Sequence, residues 1–89
     1  MNFLKWELRR QVAGTVVEVS LRGVESDVFL VDDSNLQRFK RGERYTRFGG
    51  HYKGSPVRLR VPSSGNWNAV VVPSPGGTVH ASVRVIAAA

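Results

Sequence analysis

Cationic and aromatic side chains alternate from Arg38 to Lys53, RFKRGERYTRFGGHYK, and that pattern suits an anionic or planar partner. The run holds six of the thirteen Lys and Arg residues and four aromatic residues, against the single acid Glu43. Guanidinium groups neutralise phosphates or carboxylates, and exposed rings stack on bases. The candidate binding residues are therefore Arg41, Arg44, Tyr45, Arg47, Phe48, His51 and Tyr52, with Tyr45, Phe48 and Tyr52 as stacking platforms. Arg58 and Arg60 would widen the patch if strand order brings them beside it. A plainer reading is a protected edge, because cations block edge-to-edge strand pairing and Arg packed on Tyr adds local stability. In an extended segment 43–48, Tyr45 and Arg47 share one face while Arg44 and Phe48 share the other, so neither is a clean core face. An edge strand or an excursion is expected there. Gly49-Gly50-His51 is expected to be a plain turn, although two successive amides can also form a nest for an anion.

Other constellations reduce to structure. Asp32-Asp33-Ser34-Asn35 offers oxygen ligands, but without the alternating spacing and closing glutamate of a calcium loop. Helix capping explains the same residues, with Ser34 as N-cap and Gln37 as its reciprocal partner. Asp32 would alternatively pair with an arginine of the basic run. Ser63-Ser64-Gly65-Asn66-Trp67 reads as a turn, not a nucleophile elbow, and His51 and His80 have no acid and nucleophile at matching spacing. The chain has no cysteine, so no thiolate zinc site is expected, and it has neither a Walker loop nor a GxGxxG motif. No cofactor, no metal and no enzymatic activity are expected.

Eighty-nine residues suffice for one domain, taken as 1–89, whose core must be purely apolar. The opening residues lack a basic stretch followed by an apolar one, and no apolar run approaches the ~20 residues of a membrane helix. A soluble, cytoplasmic protein is expected. The formal net charge of +6 favours nucleic acid, anionic lipid or acidic protein as partners.

Strand signals must position these residues. Segments 15–22, 27–32, 57–61, 67–72 and 78–86 are rich in β-branched residues, with a further strand at 3–9. Val17, Val19 and Leu21 oppose Glu18, Ser20 and Arg22, and Val57, Leu59 and Val61 oppose Arg58 and Arg60. Each strand then has one buried and one wet face. In the last strand Val79, Ala81, Val83 and Val85 share a face; in the first, Leu4, Trp6 and Leu8 do. Trp6 and Trp67 are expected as core anchors. Arg22-Gly23, Pro62 to Asn66 and Pro73 to Gly77 carry turn chemistry and read as hairpin loops. One short helix should put Leu36 and Phe39 on the sheet and end at Gly42 in the C′ position. The tail from Ala87 is expected to fray.

The stretch VFLVDDSNLQRFKRGERYTRFGGHYKGSPVRLRVPSSGNWNAVVV, followed by GTVHASVRV, resembles the bacterial domain-of-unknown-function family numbered eighteen eighty-three. Its carriers are Asn2-Phe3-Leu4, the Leu30 to Asn35 stretch, Phe48 before Gly49-Gly50-His51, and Ser55-Pro56-Val57 leading to Gly65-Asn66-Trp67. The resemblance implies a compact β-sandwich, found alone or attached to bacterial Toll/interleukin-receptor-like domains, acting as a recognition or adaptor module. It carries over no catalytic residue. More loosely, the strand order looks like jelly-roll carbohydrate-binding sandwiches, an analogy of fold alone. The expectation is an all-β protein: a small jelly-roll-like antiparallel β-sandwich with one short helix. Its expected partner is an acidic protein or a small anionic ligand, with single-stranded nucleic acid as the rival and homo-oligomers through edge strands left open.

Overall fold

The structure, a computed structural model, describes residues 2–87; Ala88 and Ala89, in the tail expected to fray, lie outside the described residues. Seven strands and one helix follow one another: β1 (Leu4–Gln11), β2 (Val16–Gly23), β3 (Ser26–Asp32), α1 (Asp33–Lys40), β4 (Phe48–Tyr52), β5 (Val57–Arg60), β6 (Gly65–Pro73) and β7 (Val79–Ile86). They form a four-stranded sheet, β1-β6-β3-β4, and a three-stranded sheet, β5-β2-β7, with every pairing antiparallel. Only β3 and β4 are both consecutive and in the same sheet, and α1 lies between them. Every other link passes from one sheet to the other. The proline- and glycine-marked turns are therefore inter-sheet arches and not the hairpin loops their composition suggested, because local turn chemistry does not specify which strand the chain pairs with next.

Side-chain alternation builds two cores. Val17, Val19, Val28, Leu30, Val57, Leu59, Val61, Trp67, Ala69 and Val71 meet between the sheets. The alternate residues Phe29, Val31 and Val70 point to the other face of the four-stranded sheet, where Leu36 and Phe39 of α1 cover them. β3 and β6 are thus buried on both faces, which accounts for their unbroken apolar runs. Trp67 and Trp6 both serve the inter-sheet core, Trp67 buried and Trp6 half-buried, with the Trp67 indole donating to Ser63 O at 2.8 Å. Leu4 stays exposed, and β1 carries a bulge between Glu7 and Arg9, where Arg9 adopts φ 60°. Gln11 Nε2 donates to the Leu8 carbonyl there at 2.7 Å, satisfying a group at the irregular step.

The helix begins two residues before the expected Ser34. Asp32 is its N-cap, in extended conformation, and its Oδ1 accepts from Asn35 N at 2.8 Å. A carboxylate ending β3 reaches the third backbone amide of the helix, so Ser34 is left inside the first turn and its box with Gln37 does not form. Asp32 accordingly does not pair with the basic run. At the other end Glu43 N donates to Arg38 O at 2.9 Å and Gly42 N to Phe39 O at 3.1 Å, with Gly42 at φ 74°. This double bond pattern requires a left-handed residue at C′, as expected of Gly42. An eight-residue helix is marginal alone, and burial of Leu36 and Phe39, at about 1.5–3 kcal/mol each, holds it. Among the described residues no helix is long and apolar enough to cross a membrane.

Candidate functional site

The run from Arg38 to Lys53 divides into three parts: the capped end of α1, an irregular strap at 43–47, and β4. Asn35 Oδ1 accepts from Thr46 N at 2.9 Å, which lays the strap across the helix side of the sheet. Tyr45 consequently packs against Phe39, edge to face at 5.2 Å, and tilted against Phe29 at 6.0 Å. Gly49-Gly50-His51 is strand and not the expected turn: Phe48 through Tyr52 pair with Leu30 through Ser26. The reason lies across the ladder. Gly49 stands opposite Phe29, and a Cβ there would come within 2.7 Å of Phe29 Cα. A glycine that looks like a turn signal is demanded by close approach of two strands.

Strand alternation then separates the expected site residues. Phe48 and Tyr52 turn toward the inter-sheet side, where Phe48 meets Trp67 edge-on at 5.7 Å and Tyr52 packs half-buried on the core. Tyr45, Arg47 and His51 belong to the helix side. The rings do not form one platform, and of the three only Phe48, at 40 % exposure, is largely open. Arg47 lies over the Phe29 ring at 5.0 Å, with its Nη1 3.7 Å from Asp27 Oδ2. Arg41 approaches Glu43 at 3.9 Å, while Arg44 is exposed without an ion-pair partner among the described residues. Arg58 and Arg60 do not widen this patch, because β5 belongs to the other sheet and they project from its outer face.

Two ionic clusters are internal to the fold. His51 Nδ1 is 2.8 Å from Asp27 Oδ1 and Nε2 is 3.0 Å from Glu25 Oε1. Both ring nitrogens donate only in the imidazolium form, and the hydrogen bond to Asp27, reinforced by that to Glu25, raises the His51 pKa above its usual 6.5. On the outer face of the three-stranded sheet, Glu18 accepts from Arg58 Nε and Arg84 Nη2, each at 2.9 Å. These strands are in register at Glu18, and the Arg58 hydrogen bond leads in holding its carboxyl below the usual range.

The concavity with unspent polar groups lies elsewhere, between β1 and α1. It encloses about 580 Å³ and is lined by Lys5, Glu7, Arg9, Arg10, Asp33, Leu36, Gln37, Lys40, Asn66 and Asn68. β1 supplies one wall, α1 the other, and β6 the amide floor. Lys5 is engaged by Glu7 at 3.4 Å, and Asp33 accepts from Asn68 Nδ2 at 2.9 Å. Arg9, Arg10 and Lys40 have no ion-pair partner among the described residues. Asn68 is only 2 % exposed; its Nδ2 is committed to Asp33 Oδ1 and, at 3.3 Å, Val31 O, and its Oδ1 has no donor among the described residues. Three unpaired cations and a free amide acceptor in one lining suit an anionic ligand that also carries hydroxyl or amide donors. None of these residues except Lys40 lies in the basic-aromatic run. Two signals in the sequence could have found it: a polar Asn68 inside the apolar run from Trp67 to Val72, and adjacent Arg9-Arg10 breaking the alternation of β1.

No curated protein and no solved structure matches the chain. One family model does, over residues 1–89, and it is described as a domain of unknown function, DUF1883.

Proposed function

For this chain, which belongs to the DUF1883 family, we propose a non-enzymatic recognition module that binds a small anionic ligand in the groove between β1 and α1. The observation that carries this reading is the buried Asn68 at the base of a groove whose Arg9, Arg10 and Lys40 have no ion-pair partner among the described residues, its two carboxylates Glu7 and Asp33 being engaged by Lys5 and Asn68. Several charge-assisted hydrogen bonds converging from two rigid elements recognise phosphate or carboxylate with little reorganisation. The basic-aromatic run contributes Lys40 to this site. Its Arg47 and His51 are occupied by Asp27 and Glu25, and both His51 nitrogens face carboxylates, so neither is free to activate a nucleophile. The nucleic-acid alternative has weaker support because Tyr45 and Tyr52 are half-buried against separate cores.

The test is an NMR titration with inorganic phosphate, pyrophosphate and a nucleoside 5′-monophosphate. Saturable shifts should appear in the side-chain amides of Asn66, Asn68 and Gln37, and disappear in Arg10→Glu and Lys40→Glu. Shifts confined to Arg41 and Arg44, or none at millimolar ligand, would reject the groove.

A further inference from the structure

The sandwich is one strand short on one side. Four strands face three, with β6 against β7 and β3 and β4 against β5. β1, the neighbour of β6, therefore extends past β7 with no strand of the smaller sheet beneath it. The consequences are visible in the side chains. Leu4 is 37 % exposed, Trp6 and Leu8 are only half-buried, and Val85 of β7 is 42 % exposed. At one end of this overhang, beside the β6–β7 arch, opens a notch of about 330 Å³ lined by Phe3, Leu4, Pro73, Thr78 and Val79 among others.

The four sheet edges differ in how they resist pairing. β1 is bulged and carries Lys5, Arg9 and Arg10. β4 is five residues long and contains Gly49-Gly50, and β5 is four residues long between Pro56 and Pro62. β7 has the least protection: its eight residues pair with β2 without a register shift and contain no proline, glycine or lysine, and its one arginine, Arg84, is tied back to Glu18 of β2. Among the described residues, its backbone makes no hydrogen bond apart from those to β2. A long, regular edge with so little protection is what sheet proteins otherwise avoid exposing.

We infer that β7 is a docking edge for an extended segment of a partner protein, which adds a fourth strand beneath β1 and alternates apolar with acidic residues. The alternation follows from the two faces. Inward positions of the added strand lie beside Val79, Ala81, Val83 and Val85 and under Leu4 and Trp6, so they are apolar. Outward positions lie beside His80, Ser82 and Arg84 on a face that also carries Arg22, Arg58 and Arg60, with Glu18 as its sole carboxylate among the described residues. Glu18 is already shared by Arg58 and Arg84, whereas Arg22, opposite His80, has no ion-pair partner among the described residues. Acidic residues complement that face. A second copy fits less well: a two-fold pairing of β7 with β7 would place each overhanging β1 above a partner strand already covered by its own β6.

The probe is the synthetic peptide acetyl-Thr-Val-Glu-Val-Glu-Val-Thr-amide, titrated into the intact protein and followed by amide NMR and hydrogen exchange. Saturable shifts should map to residues 79–86 and the Trp6 indole, with new exchange protection along β7. A version methylated on alternate backbone nitrogens, a version with Lys in place of Glu, and Val85→Asp protein should each bind about tenfold more weakly, the scale of one or two net hydrogen bonds. Because Val85 is exposed, that variant should melt with the wild type, and this separates lost binding from lost folding. No shift at millimolar peptide, equal binding of the methylated peptide, shifts confined to the β1–α1 groove, or a concentration-dependent dimer without peptide would each overturn the inference.

Discussion

His51 Nδ1 lies 2.8 Å from Asp27 Oδ1, and the two residues stand directly opposite one another in the β3–β4 register. The pair, completed by Glu25, fastens the edge strand β4 to β3 and to the turn that precedes it. It turns a histidine expected to meet a ligand into a clasp within the sheet.

That clasp makes stability depend on pH in a definite direction. The folded state holds the imidazolium more tightly than the unfolded chain, the Asp27 hydrogen bond being the first cause. Its contribution is therefore complete below the unfolded value and is lost as pH rises through the raised folded value. Urea unfolding of wild type and His51→Gln should differ most near about pH 6 and converge toward about pH 9. A difference that stays constant or widens with pH refutes the clasp.

Gly49 and Gly50 are adjacent but not equivalent. Alanine at Gly49 would press on the Val28 carbonyl and the Phe29 backbone, whereas the nearest neighbour of a Gly50 Cβ is the Tyr52 ring at 3.9 Å. Gly49→Ala should cost about 1–3 kcal/mol, and Gly50→Ala should be nearly neutral, by denaturant titration. Equal effects would mean that β4 is not held against β3 in this register.

The helix start offers a sharp comparison. Asp32→Ala removes the acceptor of the Asn35 amide and should destabilise by about 1 kcal/mol, while Ser34→Ala should leave the unfolding midpoint unchanged. The reverse order would restore Ser34 as the cap.

Much of the fold was legible because burial leaves a period-two imprint. Val17 and Val19 alternate with Glu18, Val57 and Leu59 with Arg58, and all take the expected faces. Leu36 and Phe39, three residues apart, also reach the sheet as their spacing requires. β4 was harder to read, since Gly49 and Gly50 carry no β-branched side chain and Gly49 answers a neighbour twenty residues away. The turns misled for a related reason: a proline or glycine bends the chain identically whether the next strand joins the same sheet or the opposite one.

The candidate groove shows the same boundary. Residue order alone established a basic, cysteine-free, all-β chain with one short helix, because composition and alternation are local properties of a polymer in water. It also concentrated charge between Arg38 and Lys53. Folding then reassigned that charge: Arg47 and His51 went to acids on or beside β3, Tyr45 went to an aromatic core, and Lys40 was brought opposite Arg10 across the groove beside α1. Such assignments depend on sheet order and strand register, which are set by packing between residues far apart in the chain.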